Sequence, residues 1–245
     1  MTSKKHTSRS YFITSLLPNY DRFLECYENP TIGLSKDVAS AAAVAEDCLN
    51  MADYVFLEER DHLKKDGILG SKKYREHLWK SQAAYEYICN FADARKHRAL
   101  DRPSKKIGSI DDTQEVCGII RYEDQQGFYY DARKLLYIHC LDGKTRDLAQ
   151  MIFLSVKMWV EELLVLNKID KPPSIRKLAP KFRSRAEVSQ PPKMNYLGQE
   201  QETFSESVKL LVYDSVTDAF RDRQPMDKFK CEIQCTLQVG ESPFG

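Results

Sequence analysis

Glu86, Asn90, Asp93 and His97 follow one another at intervals of four, three and four residues, the spacing that lines side chains along one face of an α-helix. Asp93 stands four residues before His97, so its carboxylate can hold the imidazole in one tautomer and raise its affinity for a proton. An oriented histidine beside an asparagine is what proton transfer or phosphate recognition uses, which makes His97, Asp93 and Asn90 the candidate catalytic residues. The same residues also fit the wet side of a helix, with Arg95, Lys96, His97 and Arg98 gathered where cations favour the negative end of the helix dipole. A metal is not expected, because one histidine among scattered carboxylates lacks a second strong ligand nearby. No cofactor is expected either. The chain has no glycine-rich phosphate loop and no serine in a nucleophile-elbow context.

A second concentration of charge lies further along. Between Lys171 and Lys193 stand Lys171, Arg176, Lys177, Lys181, Arg183, Arg185 and Lys193, opposed by Glu187 alone. Prolines and Phe182 interrupt them. Such a stretch can track a phosphate backbone, or it can be a solvated linker. Glu86, Arg95, Arg98, Lys177, Lys181, Arg183 and Arg185 are the candidate binding residues. Cys231 and Cys235 share the inward face of an alternating run and read as core. His139 and Cys140 are adjacent in a strand and point to opposite faces.

The elements that must position these groups follow from periodicity. Residues 1–10 read as a loose tail, and a short helix is expected over 21–27, beyond Pro18. Ser35 can cap a helix running to about Leu63, whose alanine-rich face permits close packing. A second long helix is expected from Ser71 to near Leu100, with Trp79 on the same side as Glu86; the two helices would form an antiparallel hairpin. Residues 116–122 read as a strand, joined by a turn to 128–141, which reads as one strand or as two divided at Asp131. From Thr145 to about Lys168 the periodicity is helical and apolar nearly all round, which marks a buried helix. Residues 208–212 and 228–239 are further strands. The fold expected is α+β: a long antiparallel helical hairpin plus a buried helix, a small antiparallel β-sheet and a C-terminal β segment. In sequence terms this divides into 1–168, a proline-rich basic arm over 169–205, and 206–245.

Composition narrows the setting. The chain has 245 residues, 42% of them hydrophobic and 30% charged, enough to fill and cover a core. Its formal net charge of +1 supplies no global attraction to nucleic acid or membrane. Seven cysteines, an odd number at scattered positions, point to a reducing compartment, and a cytoplasmic protein with no membrane partner is expected. The most apolar stretch, 151–166, carries Lys157, Glu161 and Glu162, which a spanning helix would avoid.

The run Asn90-Phe91-Ala92-Asp93-Ala94-Arg95-Lys96-His97-Arg98 resembles a helix ending of many bacterial and phage proteins of uncharacterised function. There an Asn-Ala-x-Lys-His segment closes a long helix, and a β-hairpin and a tryptophan-containing helix follow. The order here is the same, over roughly 35–168 with Trp159 in the later helix, and it departs at Asp93, where Asn stands in those proteins. More distantly the helical hairpin is similar to the HEPN superfamily, whose nucleases carry Arg, four to six residues, then His on a helix. Counted back from His97 those positions are Asn90, Phe91 and Ala92, so the nuclease arginine is missing; Arg133 and His139 have the spacing but lie in an expected strand. With no completed catalytic motif and a well-formed helical surface, the expectation is a non-enzymatic interaction protein of bacterial or phage type that presents the helical hairpin and the basic arm to a protein or RNA partner. Its rival is a metal-independent ribonuclease working as a homodimer. In that rival His97 would transfer protons, Asn90 contact a phosphate or 2′-hydroxyl, Asp93 orient His97, and Arg95 or Arg98 stabilise charge.

Overall fold

A computed structural model describes residues 7–32, 36–96, 105–188, 192–196, 208–222 and 234–235. The chain forms two compact units from interleaved pieces: Met1–Cys26, Val38–Thr113 and Tyr137–Leu178 make the first, and Tyr27–Asp37, Gln114–Leu136 and Ala179–Gly245 the second. The fold is mixed α+β.

The first unit opens on helix earlier than the sequence indicates. Helix α1 (Ser8–Tyr11) begins at a Thr7 cap, whose side chain accepts the Ser10 N–H, and runs through a π-helical turn at Phe12–Leu16 into α2 (Leu17–Glu28). Residues 8–10 are therefore helix rather than tail, and Pro18 does not stop it. The π turn explains why. Leu17 N–H reaches back five residues to the Phe12 carbonyl, and the widened turn just ahead of Pro18 accommodates a residue that has no N–H and needs room behind it. It also offsets the drift of a four-residue spacing, which advances about 40° per step in an ordinary α-helix. Tyr11, Ser15 and Asn19 consequently all donate to the buried Asp47 carboxylate, at 2.5, 3.0 and 2.7 Å.

Strand β1 (Thr31–Ile32) precedes α3 (Lys36–Glu58), and α4 (Arg60–Lys65) follows after a bend at Glu59. Ser35, the expected cap, lies outside the described residues. The expected single helix from 71 to 100 is two: α5 (Ser71–Ser81) and α6 (Ala83–Lys96). Gln82 is extended between them (φ −138°, ψ 93°). Its side-chain oxygen accepts the Ala84 N–H at 3.3 Å, and Ser81 Oγ donates to the Leu78 carbonyl at 2.9 Å. Two polar side chains thus serve helix ends that periodicity alone joins.

Strands β2 (Thr113–Asp124) and β3 (Gly127–His139) follow, the latter unbroken at Asp131, then β4 (Thr145–Asp147) and α7 (Leu148–Val165). The expected start of that last helix at Thr145 is strand, because Asp147 is its cap, accepting the Gln150 N–H at 3.0 Å. At its other end Asn167 is left-handed (φ 53°), and the N–H groups of Asn167 and Lys168 return to the Leu164 and Leu163 carbonyls. This paired closure satisfies the last carbonyls of the helix.

Trp159 is fully buried on α7 and donates from Nε1 to the Cys48 carbonyl of α3 at 3.1 Å. Tyr85 of α6 donates to the same oxygen at 3.1 Å and meets the indole edge to face. One carbonyl therefore ties three helices. The alanines of α3 (Ala41, Ala42, Ala45, Ala52), all buried, keep those neighbours close. No helix among the described residues is long and apolar enough to cross a membrane.

In the second unit β5 (Asn195–Tyr196), β6 (Val208–Asp214), β7 (Ala219–Asp222) and β8 (Gln234–Cys235) complete the strands. The main sheet runs β4-β3-β2-β6-β7 and is mostly antiparallel, but β6 pairs parallel with β2, Cys117 opposite Val208 through Arg121 opposite Val212. Gly118 leaves room for side chains of both neighbouring strands: a Cβ there would lie 2.6 Å from Leu135 Cδ1 of β3 and 3.2 Å from Leu211 Cδ1 of β6. Strands β1, β5 and β8 form a small parallel sheet. Of the expected strand 228–239, Gln234 and Cys235 fall among the described residues.

Burial pushes the Tyr11 and Tyr122 hydroxyls up to about 12, with Asp47 adding to the effect at Tyr11. A folded pKa above the unfolded value of ~10 stabilises fully below pH ~10 and is lost as pH rises through the folded pKa. Urea midpoints measured from pH 8 to 12 should therefore fall above pH ~10, and Tyr11→Phe should flatten that fall.

Candidate functional site

Helix α6 carries Glu86, Asn90, Asp93 and Arg95 among the described residues; His97 and Arg98 lie outside them. The first three are partly exposed and Arg95 exposed, so the helix does place them away from its buried side of Tyr85, Ile88, Phe91 and Ala92. Trp79 does not continue their line, since it sits on α5 beyond the Gln82 break. Its indole nitrogen is buried, and the ring lies beside the core thiol of Cys89.

Asn90 is occupied at both ends. Its Nδ2 donates to the Glu86 carbonyl at 2.8 Å, and its Oδ1 accepts the Lys106 N–H at 3.0 Å. Lys106 Nζ stands 3.8 Å from the Glu86 carboxylate, and the Lys106 carbonyl accepts the Leu141 N–H at 2.9 Å. The carboxamide therefore pins the returning chain against α6. Arg95 reaches Glu46 on α3 at 3.6 Å. Asn90→Ala should cost about 1–2 kcal/mol by urea denaturation and speed amide exchange at Lys106. Unchanged exchange there would contradict the latch.

The basic arm is held by its backbone. Tyr122 and Tyr129 donate their hydroxyls to the Lys181 and Arg183 carbonyls at 2.7 and 2.8 Å, and Arg133 donates to the Pro180 and Lys181 carbonyls at 2.7 and 3.1 Å. Its side chains turn back to the same unit. Arg185 forks onto Asp124 at 2.8 and 2.9 Å, lies 4.7 Å over the Tyr129 ring, and holds the Asp124 carboxyl below its ordinary range. Arg183 reaches Asp131 at 3.4 Å, and Lys181 donates to the Asp218 carbonyl at 3.0 Å. Lys177, in the first unit, is exposed. The structure thus groups Lys181, Arg183 and Arg185 on one strap of the second unit, and Glu86, Asn90, Asp93 and Arg95 on α6 of the first.

Sequence reasoning passed over a cavity of about 310 Å³ in the second unit, lined by Tyr27, Pro30, Ala132, Arg133, Lys134 and Met194 among others, with Glu28, Ala179 and Arg183 completing it. Lys134 is buried and bonds the Thr31 carbonyl at 3.0 Å and Asp37 at 2.7 Å, with Glu115 at 3.8 Å. The available signal was the adjacent pair Arg133-Lys134 inside a strand expected to bury alternate residues. No group of three or more metal-ligating side chains occurs among the described residues. Compared with known families, curated proteins and solved structures, the chain matches none.

Proposed function

We propose that this chain is a non-enzymatic interaction protein, of the bacterial or phage type that its helix ending resembles, and that it takes a protein partner at one end of its first unit. The supporting observation is the exposure there of three large aliphatic side chains: Leu57 at 69%, Leu69 at 73% and Val165 at 75%. They belong to one end. Glu58 and Glu59, next to Leu57, both pair with Lys168, three residues past Val165. Ile68, next to Leu69, donates to the Leu63 carbonyl, and Leu63 N–H returns to Glu59. Single exposed leucines are ordinary, whereas several gathered at one end favour an interface.

The arm weighs against RNA as the partner. Binding a phosphate backbone needs cations free to replace counterions, and Arg185 is already forked onto Asp124 while Lys181 is turned to the Asp218 carbonyl.

Two experiments test this reading. Mixed RNA incubated with the protein in EDTA should stay intact; cleavage that disappears in His97→Ala would establish the ribonuclease instead. Affinity purification from the native cell should enrich a partner that the Leu57→Asp/Leu69→Asp/Val165→Asp variant fails to hold, with sedimentation velocity identifying a second copy as that partner. Identical capture and identical sedimentation for both proteins would overturn the proposal.

A further inference from the structure

We propose that the cavity of the second unit binds a small molecule through its anionic group, a carboxylate or a phosphate, gripped between Arg133 and Arg183. This site is separate from the interaction end of the first unit and does not depend on it.

The volume of about 310 Å³ falls at the small end of ligand cavities, suited to a metabolite rather than a polymer. Its walls carry three cations, Arg133, Lys134 and Arg183, and one acid, Glu28, which is exposed at the rim. Lys134 is fully answered: Asp37 and Glu115 both face its ammonium. The two arginines are not. They share one carboxylate, Asp131, at 3.9 Å from Arg133 and 3.4 Å from Arg183. Burial raises the Asp131 pKa against the pull of both arginines. The other contacts of Arg133 among the described residues are neutral: two carbonyls of the arm, the Tyr122 hydroxyl and the face of Phe220 at 5.9 Å.

The arginine pair at the cavity wall thus carries one positive charge more than its shared carboxylate, while Asp37 and Glu115, which do not line the cavity, exceed the Lys134 ammonium by one. The Arg133 side chain is only 12% exposed, so water does little to screen its attraction for an anion that reaches it. Its Nη1 is fixed by the arm carbonyls, which sets the plane of the guanidinium in advance, and a planar fork is what recognises a carboxylate or phosphate. Ala132, Ala179, Pro30 and Met194 supply apolar wall for the rest of the ligand. Glu28 opposes an anion from the solvent side, where screening is greatest.

The test titrates the full chain, at constant ionic strength, with inorganic phosphate in one arm and succinate in the other, followed by calorimetry and by backbone amide shifts; sodium chloride is the control. Saturable binding of either probe is expected, with shifts at residues 132–134 and 179–183. Arg183→Gln should weaken it at least tenfold, Arg183→Lys less. Ala179→Trp, which fills the cavity and leaves both arginines in place, should abolish it. Binding of phosphate alone or of succinate alone names the source of the anionic group. No saturation with either probe, responses equal to those of chloride, or affinities unchanged in both Arg183→Gln and Ala179→Trp would overturn the site.

Discussion

Trp159→Ala is expected to remove about 3–5 kcal/mol of stability, the range for deleting a large aromatic side chain from a packed core. The indole has no exposed surface, and its loss takes away three things together. The cavity left between α7 and its neighbours loses dispersion contacts on every side. The hydrogen bond to the Cys48 carbonyl disappears, which leaves that oxygen with the Tyr85 hydroxyl alone from outside its own helix. Tyr85 also loses the ring whose edge-to-face contact fixes it. Trp159→Phe should retain most of the packing and forfeit the hydrogen bond, for a cost nearer 1–2 kcal/mol. Equilibrium urea denaturation measures both. If the two variants lose equal stability, the hydrogen bond and not the volume holds the helices.

Lys134→Ala should be nearly as damaging, by about 3–5 kcal/mol, through electrostatics rather than volume. The Lys134 and Asp37 side chains are 4% and 3% exposed, and that of Glu115 is 11% exposed. With the ammonium gone, two buried carboxylates face each other without their common cation, and the Thr31 carbonyl loses its donor. Removing the acids as well distinguishes this from ordinary loss of packing. Lys134→Met combined with Asp37→Asn and Glu115→Gln should recover at least half of what Lys134→Met alone loses. No recovery would assign the cost to shape.

The sequence was most informative where a pattern is repeated locally. The apolar periodicity over 148–165 marks α7 as buried, and the apolar run over 116–122, closed by a turn, marks β2 as a strand, because both signals lie within the element itself. Features decided by distant residues escaped. The parallel pairing of β2 with β6 joins segments about ninety residues apart, and nothing near Cys117 or Val208 announces the direction. Pro18 reads as a stop because the π turn that accommodates it leaves no mark on the sequence. Gln82 reads as helix because its neighbours do. The candidate site divides the same way. That Glu86, Asn90 and Asp93 share a side follows from spacing, whereas the use of Asn90 as a latch depends on Lys106, sixteen residues later. The arm's arginines look free in one dimension, because Asp124 and Asp131 lie more than fifty residues before them.

The strap over 180–183 is held through main-chain oxygens, by Tyr122, Tyr129 and Arg133. Every amino acid has that oxygen, so these bonds do not depend on which side chains the strap carries, although Lys181, Phe182 and Arg183 add contacts of their own. Mutational tolerance should therefore be lopsided. In a deep mutational scan scored for folded protein, positions 180–183 would accept more replacements than the three donors on the strands beneath, with Phe182, packed against Tyr122 and Tyr213, the most restricted of the four. A segment under so little constraint from its own anchorage can acquire new side chains, and with them new contacts, without first having to be refitted to the fold.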